Sequence, residues 1–480
     1  MKKSVYLFII LFLVLNFSFG QNNSQKTEQK IDHYLKEIIA ANEIPGAAAA
    51  VIKDGKVIYE KYFGKASLEE NTFVNQNTAF KIFSTTKLIT NVGIFQLIEN
   101  GKLSLQDEIS KYLDNLPKEW QAIKVENLIT HSSGLPDIVR FADIPITLSY
   151  TERIKLLAQK TMDFSTGDQY RYNQTNYLFL AKIIEKITGL TFDQYIIQNQ
   201  FSDVKWGVYF SSNFGEAVNN SAFRYNFSTQ TNTYVKSTTD SGKDSHSANG
   251  MNISLPEFIR WNQNLDHNLY LKSETKTAMW KPFQFKKQYD FGYGWGIYPV
   301  NDILSYGFSG GNETAFRKFP EQNLTIIFLS NGHRYSGVQD QVVNHIAGIV
   351  DQKLYNEYAV TDEKITFAFL KLDLNKAIEN YALIKKKHPE WNFEERLNTI
   401  GYTLMSNKRI DGAIKVFELN TKENPQSGNA YDSLAEGYFN NNQFDISKIT
   451  YKKSLELLPE NKNAKEMLEK IDKLQAEKKT

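Results

Sequence analysis

The C-terminal end of the chain repeats itself, and a repeat restricts the available folds more tightly than any composition does. Ala377, Tyr381 and Pro389 return as Ala413, Phe417 and Pro425, and again as Ser447, Tyr451 and Pro459. Pro425 and Pro459 are 34 residues apart, as are Gly401 and Ala435. A small residue followed four positions later by an aromatic puts both side chains on one helical face, and the proline ends the helix beyond them. A unit of this length holds two helices, which bury their apolar face only by stacking on the next unit. The spacing predicts three units at about 360–391, 394–427 and 428–461, the first degenerate. A closing helix, charged on its outer side, is predicted from Asn463 to about Lys478.

This pattern resembles the tetratricopeptide repeat. The resemblance implies an all-α domain over 364–480 that contacts a protein partner or docks within the chain. Residues 357–363, polar and without strong periodicity, read as a linker.

The part before the linker reads differently. Ile31, Tyr34, Leu35, Ile38 and Ile39 have helical spacing, and Ile44-Pro45-Gly46 stops that helix. Gly46–Lys53 and Lys56–Phe63 are strand-like, with Asp54-Gly55 between them as a hairpin turn. A helix is predicted from near Ser84 to the Gly101 cap, and another over Tyr177–Thr188. Phe291–Val300, Ile303–Phe308, Thr314–Phe319 and Leu324–Ser330 look like consecutive strands. The order implies an α/β (α+β) domain over 21–356, its antiparallel sheet drawing strands from both ends of the sequence.

Residues 1–20 carry Lys2 and Lys3, an apolar stretch from Val5 to Leu15, and small residues at Ser18 and Gly20. This is the layout of a secretory leader, too short to span a bilayer, so an exported chain, periplasmic or secreted, is expected, with no transmembrane segment after cleavage. Removing Lys2 and Lys3 leaves 54 basic against 54 acidic residues, and no basic run stands out. Nucleic-acid binding is therefore disfavoured. With no Cys, the chain has no thiol nucleophile, disulfide or thiolate metal site. The seven His show no metal-binding spacing, and no cofactor is implied.

Ser84-Thr85-Thr86-Lys87 places a hydroxyl and an amine three residues apart at a helix start, on one face and within reach of each other. A serine in the first turn keeps its own N–H free for an oxyanion. Tyr172-Asn173-Gln174 precedes the helix Tyr177–Thr188. Its phenol becomes a useful base only where a cation such as Lys87 lowers its pKa from about 10.

Together these motifs resemble the serine β-lactamase-like family of class C β-lactamases, D-Ala-D-Ala peptidases and related esterases, over about residues 30 to 350. Ile44-Pro45-Gly46, Phe80–Lys87, Leu97–Asp107, Leu128-Ile129-Thr130-His131-Ser132-Ser133-Gly134-Leu135-Pro136, Gly292-Tyr293-Gly294-Trp295 and the strand ending Leu329-Ser330-Asn331 match in order. The resemblance implies Ser84 as the acylated nucleophile, Lys87 as its activating partner and Tyr172 as proton shuttle. The Ser84 and Gly311 N–H groups would hold the oxyanion, with Gln174, Phe308, Ser309 and Gly310 lining the substrate pocket.

Two positions depart from the family pattern. Gln174 stands where Asn is common, and Phe308 stands where a Lys or His would grip a substrate carboxylate. About 60 Å² of ring at Phe308, worth some 1.5 kcal/mol, would favour neutral, hydrophobic esters. The leading expectation is an exported serine hydrolase acting on small esters through an acyl-enzyme. The alternatives are a D-amino-acid peptidase, a β-lactam-hydrolysing enzyme, or a weakly catalytic sensing module that signals through the repeats. Gly307-Phe308-Ser309-Gly310-Gly311 also fits Gly-x-Ser-x-Gly, but too few residues follow before the next strand for the helix that motif requires. His131 reads as structural.

Overall fold

The computed structural model describes residues 25–477 except 217, 219, 288 and 336. The expected leader at 1–20 lies outside the described residues. Two compact units form. One takes in the described residues up to Phe227 together with Tyr234–Tyr355, and the other holds Ser228–Thr233 and the chain from Asn356 onward.

In the first unit a seven-stranded antiparallel sheet runs in the order Thr72–Phe73, Lys56–Ser67, Gly46–Lys53, Leu324–Ser330, Thr314–Phe319, Ile303–Gly310 and Gly296–Val300. Asp54 and Gly55 both take positive φ, 50° and 74°, as the two-residue hairpin requires. Gly46–Lys53 is a nearly continuous apolar run because both of its faces are covered. Ala48, Ala50 and Ile52 join the main core, while Ala47, Ala49 and Val51 are buried on the opposite side. The last four strands include the predicted ones, the first of them shortened to Gly296–Val300. Before it the chain turns at Gly294, whose φ of 81° no ordinary strand residue adopts.

Helix Thr86–Glu99 is buried on every side over its first ten residues, Thr86 to Phe95, its polar Lys87, Thr90 and Asn91 included. Up to Phe95 it is a core helix without a solvent face. A three-stranded sheet of Ala79–Lys81, Met251–Ser254 and Val208–Phe210 abuts its start. Among the described residues no helix is long and apolar enough to cross a membrane.

From Asn356 onward the second unit is all-helical. Glu357–Lys371 with Leu374–Lys387, Glu394–Ser406 with Ile410–Glu423, and Gly428–Asn440 with Phe444–Leu457 are three successive helix pairs, followed by Lys462–Glu477. The repeated small residues mark close crossings: a Cβ on Gly401 would strike the Phe417 ring, and Ala435 packs with Tyr451, Ala464 and Ile471. The predicted linker at 357–363 is a correction, since those residues form the first half of helix Glu357–Lys371. The Asn356 side chain caps that helix by accepting the Ala359 N–H at 2.8 Å, and Val360 and Glu363 are buried on its inner face.

Candidate active site

The chain reaches Ser84 from strand Ala79–Lys81. The Ile82 N–H extends that ladder by donating to the Met251 carbonyl at 3.0 Å. A single 3₁₀ turn, Phe83–Thr85, then feeds the core helix. Phe83 has φ of 46°, a costly conformation for a bulky residue, and it lies immediately before the candidate nucleophile. From Thr78 to Phe95 every residue is buried except Ser84, so the hydroxyl sits at the one opening in an otherwise closed segment.

Tyr172 donates to Ser84 Oγ at 2.8 Å. Lys87, fully buried, donates to the Ala248 carbonyl at 2.8 Å and to Gln174 Oε1 at 3.2 Å. The expected Ser84–Lys87 hydrogen bond is not among its partners. Burial drives the Lys87 pKa well below the ordinary lysine value, and the attraction of Asp137 works the other way but is smaller. Burial also pushes the Tyr172 phenol up to about 12, despite hydrogen bonds to Ser84 and Gln174 that favour the phenolate. The anticipated pairing of lysine cation with phenolate is therefore reversed. Burial thus favours the uncharged form of each, amine and phenol. In that amine form the two N–H groups would be taken by the two acceptors, leaving the lone pair free.

On the opposite wall, the pairing of Ile303–Gly310 with Gly296–Val300 ends at Gly307. Phe308, Ser309 and Gly310 thus run past their outer neighbour and leave an open strand edge. The Phe308 ring lies 6.1 Å from Tyr172 and 6.2 Å from Phe291, and only 7% of the residue is exposed. The expected 60 Å² of free ring is not there. Ser309 is a further correction to the predicted pocket. Side chains alternate along a strand, so Ser309 turns to the other face, where Oγ donates to Asp340 Oδ1 at 2.6 Å and accepts from Arg317 at 3.4 Å. Gly310 meets the nucleophile turn so closely that a Cβ there would strike the Ile82 carbonyl and stand 2.9 Å from the Ser84 nitrogen. Thr314 Oγ1 ties the two segments together by donating to the Ile82 carbonyl at 3.0 Å. Among the described residues neither the Ser84 nor the Gly311 N–H has a hydrogen-bond partner.

A family model described as Beta-lactamase matches residues 31–344. The chain belongs to the beta-lactamase family. Among curated relatives, it is 24% identical over 176 residues to Protein flp of Staphylococcus aureus (strain N315), covering 35% of each chain. It is 25% identical over 299 residues to Penicillin-binding protein 4* of Bacillus subtilis (strain 168), covering 58% of this chain and 66% of that one. To the N-acetylmuramyl-L-alanine amidase of the same organism it is 29% identical over 212 residues, 40% of this chain and 48% of the relative. The match thus spans about a third of the length of the first of these relatives. The fold is shared with the octameric penicillin-binding protein homologue from Pyrococcus abyssi, at a TM-score of 0.60 and 22% identity over 70% of this chain and 81% of that one. It is also shared with a penicillin binding protein from Bacillus halodurans, at a TM-score of 0.55 and 23% identity over 66% and 98%.

In this beta-lactamase-family domain the sequence motifs bring Ser84, Lys87, Tyr172, Gln174, Phe308, Gly310 and Gly311 together. Three participants carry no motif of their own. Ala248 contributes only a backbone carbonyl, which leaves no trace in residue identity. Asp137 accepts the Gln174 N–H at 3.2 Å and so fixes the start of helix Gln174–Thr188. The third is the ion pair of the partly exposed Arg224 and the buried Glu313, 89 residues apart and in contact through one carboxylate oxygen. His131 is buried, and its Nδ1 accepts the Asn173 N–H at 3.2 Å. Its pKa is depressed by burial, then by Lys87, so it is a neutral structural ring.

Proposed function

We propose that this protein is an exported serine hydrolase that forms an acyl-enzyme on Ser84 and takes small neutral esters as substrates. The observation that carries the reading is the Ser84 hydroxyl, half-open to solvent, bonded at 2.8 Å to the Tyr172 phenol and three residues from a fully buried Lys87 whose amine form burial favours. A desolvated amine is a competent base near neutral pH.

Ser84 Oγ attacks the ester carbonyl carbon while the Lys87 lone pair takes the hydroxyl proton. The carbonyl oxygen becomes an oxyanion held by the Ser84 and Gly311 N–H groups. As the C–O bond to the alcohol breaks, the departing alkoxide takes the Tyr172 proton, and the Lys87 ammonium returns its proton to the phenolate. Both groups are neutral again in the acyl-enzyme. Water then attacks the acyl carbon, giving its proton to Lys87, the Ser84 oxygen leaves with the Tyr172 proton, and the Lys87 ammonium again returns its proton to the phenolate.

A cavity of about 270 Å³ supports an apolar substrate group. Ile138, Phe141, Ile144 and Leu178 line it together with Gln174 and Ala248, the two residues that hold Lys87. The open edge at Phe308–Gly310 favours one second reading, an amide or D-peptide hydrolase, because a peptide backbone would pair along it. The all-helical unit fits a protein-docking role. Export rests on the character of residues 1–20.

Labelling with a serine-directed fluorophosphonate tests the core of this reading. The wild-type protein should be labelled and Ser84→Ala should not, and a panel of neutral esters and D-amino-acid amides then ranks the substrates. A protein that resists labelling while fully folded is a binding module, and the hydrolase reading fails.

A further inference from the structure

Arg224 and Glu313 have no part in the proton transfers of Ser84, Lys87 and Tyr172, yet both lie against the turn that presents the oxyanion donors. Glu313 follows Gly311 by two residues. Its N–H donates to the Gly310 carbonyl at 2.9 Å, and its own carbonyl accepts the Ser330 N–H at 3.0 Å and Ser330 Oγ at 2.8 Å. The side chain is 2% exposed. Oε1 accepts Arg224 Nε at 3.1 Å and Nη2 at 3.0 Å, whereas Oε2 is buried without a partner. Gly311, at φ of 61°, presses on that free oxygen: a Cβ at Gly311 would strike Glu313 Oε2 and reach to 2.6 Å from the Phe83 ring. The Arg224 guanidinium lies 5.0 Å from the centre of the same Phe83 ring and 5.5 Å from that of Phe214. The residue before the nucleophile and the residue bearing the second oxyanion donor thus rest on one ion pair, its carboxylate buried and its guanidinium partly exposed.

Resting on the acyl-enzyme reading, we propose that Glu313 and Arg224 are positioning residues that hold the two oxyanion donors in register, and that the charge on Glu313 sets how well the site tolerates a developing oxyanion. An ionised carboxylate beside Gly311 opposes negative charge on the substrate oxygen, and a protonated one does not. Burial pushes the Glu313 carboxyl up to about 7, against the pull of Arg224. Arg224 is the cation facing Glu313. Lys81, on strand Ala79–Lys81, and His333, after strand Leu324–Ser330, face Arg224, and burial lowers both, Lys81 to about 7. The limb below therefore has to be assigned by substitution at Glu313 itself.

The experiment measures kcat, KM and fluorophosphonate labelling rate from pH 5.5 to 9 for the wild type, Glu313→Gln and Arg224→Lys. In the wild type kcat should fall roughly three- to tenfold as pH rises through about 7, with KM for a neutral ester steady. Glu313→Gln, which keeps the shape and an acceptor for Arg224, should lose that falling limb. Arg224→Lys should retain the limb but lower kcat and labelling at every pH, because it gives up the planar cover on Phe83. A falling limb that persists in Glu313→Gln overturns the proposal, as does Arg224→Lys with wild-type kcat. A folded wild type that does not label overturns the acyl-enzyme reading, and the proposal with it.

Discussion

Replacing Phe308 by histidine tests what the missing cation does. With 7% of the residue exposed, and a phenylalanine side chain offering some 150–250 Å², about 15 Å² of ring faces a substrate. At about 25 cal/mol per Å² this is worth about 0.4 kcal/mol, or roughly a twofold preference for apolar groups. A cation in the same place would contribute about 1.5–3 kcal/mol to a substrate carboxylate, at least tenfold. The denied ion pair therefore outweighs the offered surface, and on the proposed function Phe308 should act mostly by excluding anions. Phe308→His keeps a ring against Tyr172 and Phe291, and it adds the cation only when the imidazole is protonated, below an ordinary pKa of about 6.5. The assay compares kcat/KM for p-nitrophenyl acetate with that for p-nitrophenyl hemisuccinate, which adds a carboxylate. At pH 5.5 the variant should shift the ratio toward the hemisuccinate by roughly tenfold, and by pH 8 the shift should fade. A wild type that already prefers the anionic ester, or a shift independent of pH, refutes the reasoning.

Lys87→Met should abolish turnover, and its stability relative to wild type should depend on pH. The folded pKa of Lys87 lies below the unfolded one, so between the two values the unfolded chain holds a proton that the folded chain lacks, and wild-type stability rises with pH. Melting temperatures from pH 6 to 10 should therefore move in favour of the wild type as pH rises, and parallel curves would mean that Lys87 is charged in the fold. Tyr172→Phe removes the proton given to the leaving group, and kcat should drop about 10²- to 10⁴-fold in ester assays. A loss below about threefold would remove Tyr172 from the mechanism. Gly310→Ala drives a Cβ onto the Ile82 carbonyl and toward the Ser84 nitrogen, so it should cost about 1–3 kcal/mol in denaturant melts and slow labelling. Unchanged labelling would show that the two segments can part freely.

The legible parts of this protein are those written in short spacings. Ser84 and Lys87 are three residues apart, Asp54-Gly55 names its own turn, and Gly401 and Ala435 repeat at the period of their unit. Alternation along a strand would also have told Ser309 from Phe308, since neighbours on a strand face opposite ways. The capping side chain of Asn356 was likewise a start signal for the helix read as linker. Charge states were hidden for another reason. Whether Lys87 is an ammonium or an amine depends on burial by segments up to 161 residues away, such as Ala248, and no local pattern reports that. The Arg224–Glu313 pair is silent in the same way.

The pairing of Gly46–Lys53 with Leu324–Ser330 sets a timetable for the chain. Ala47 lies opposite Ser330, 283 residues later, and the first hairpin covers only one edge of Gly46–Lys53. During synthesis that alanine-rich edge stays unsatisfied until nearly the whole unit has emerged, so the sheet cannot close progressively behind the ribosome. Contacts of such long range also make folding slow. A chain broken off before Gly296 lacks all four late strands, and it would present an apolar, unpaired strand edge, a template for aggregation. The first unit therefore closes late, only once its last strands have been made, and the turn at Gly310–Gly311 is among the last of its parts to arrive.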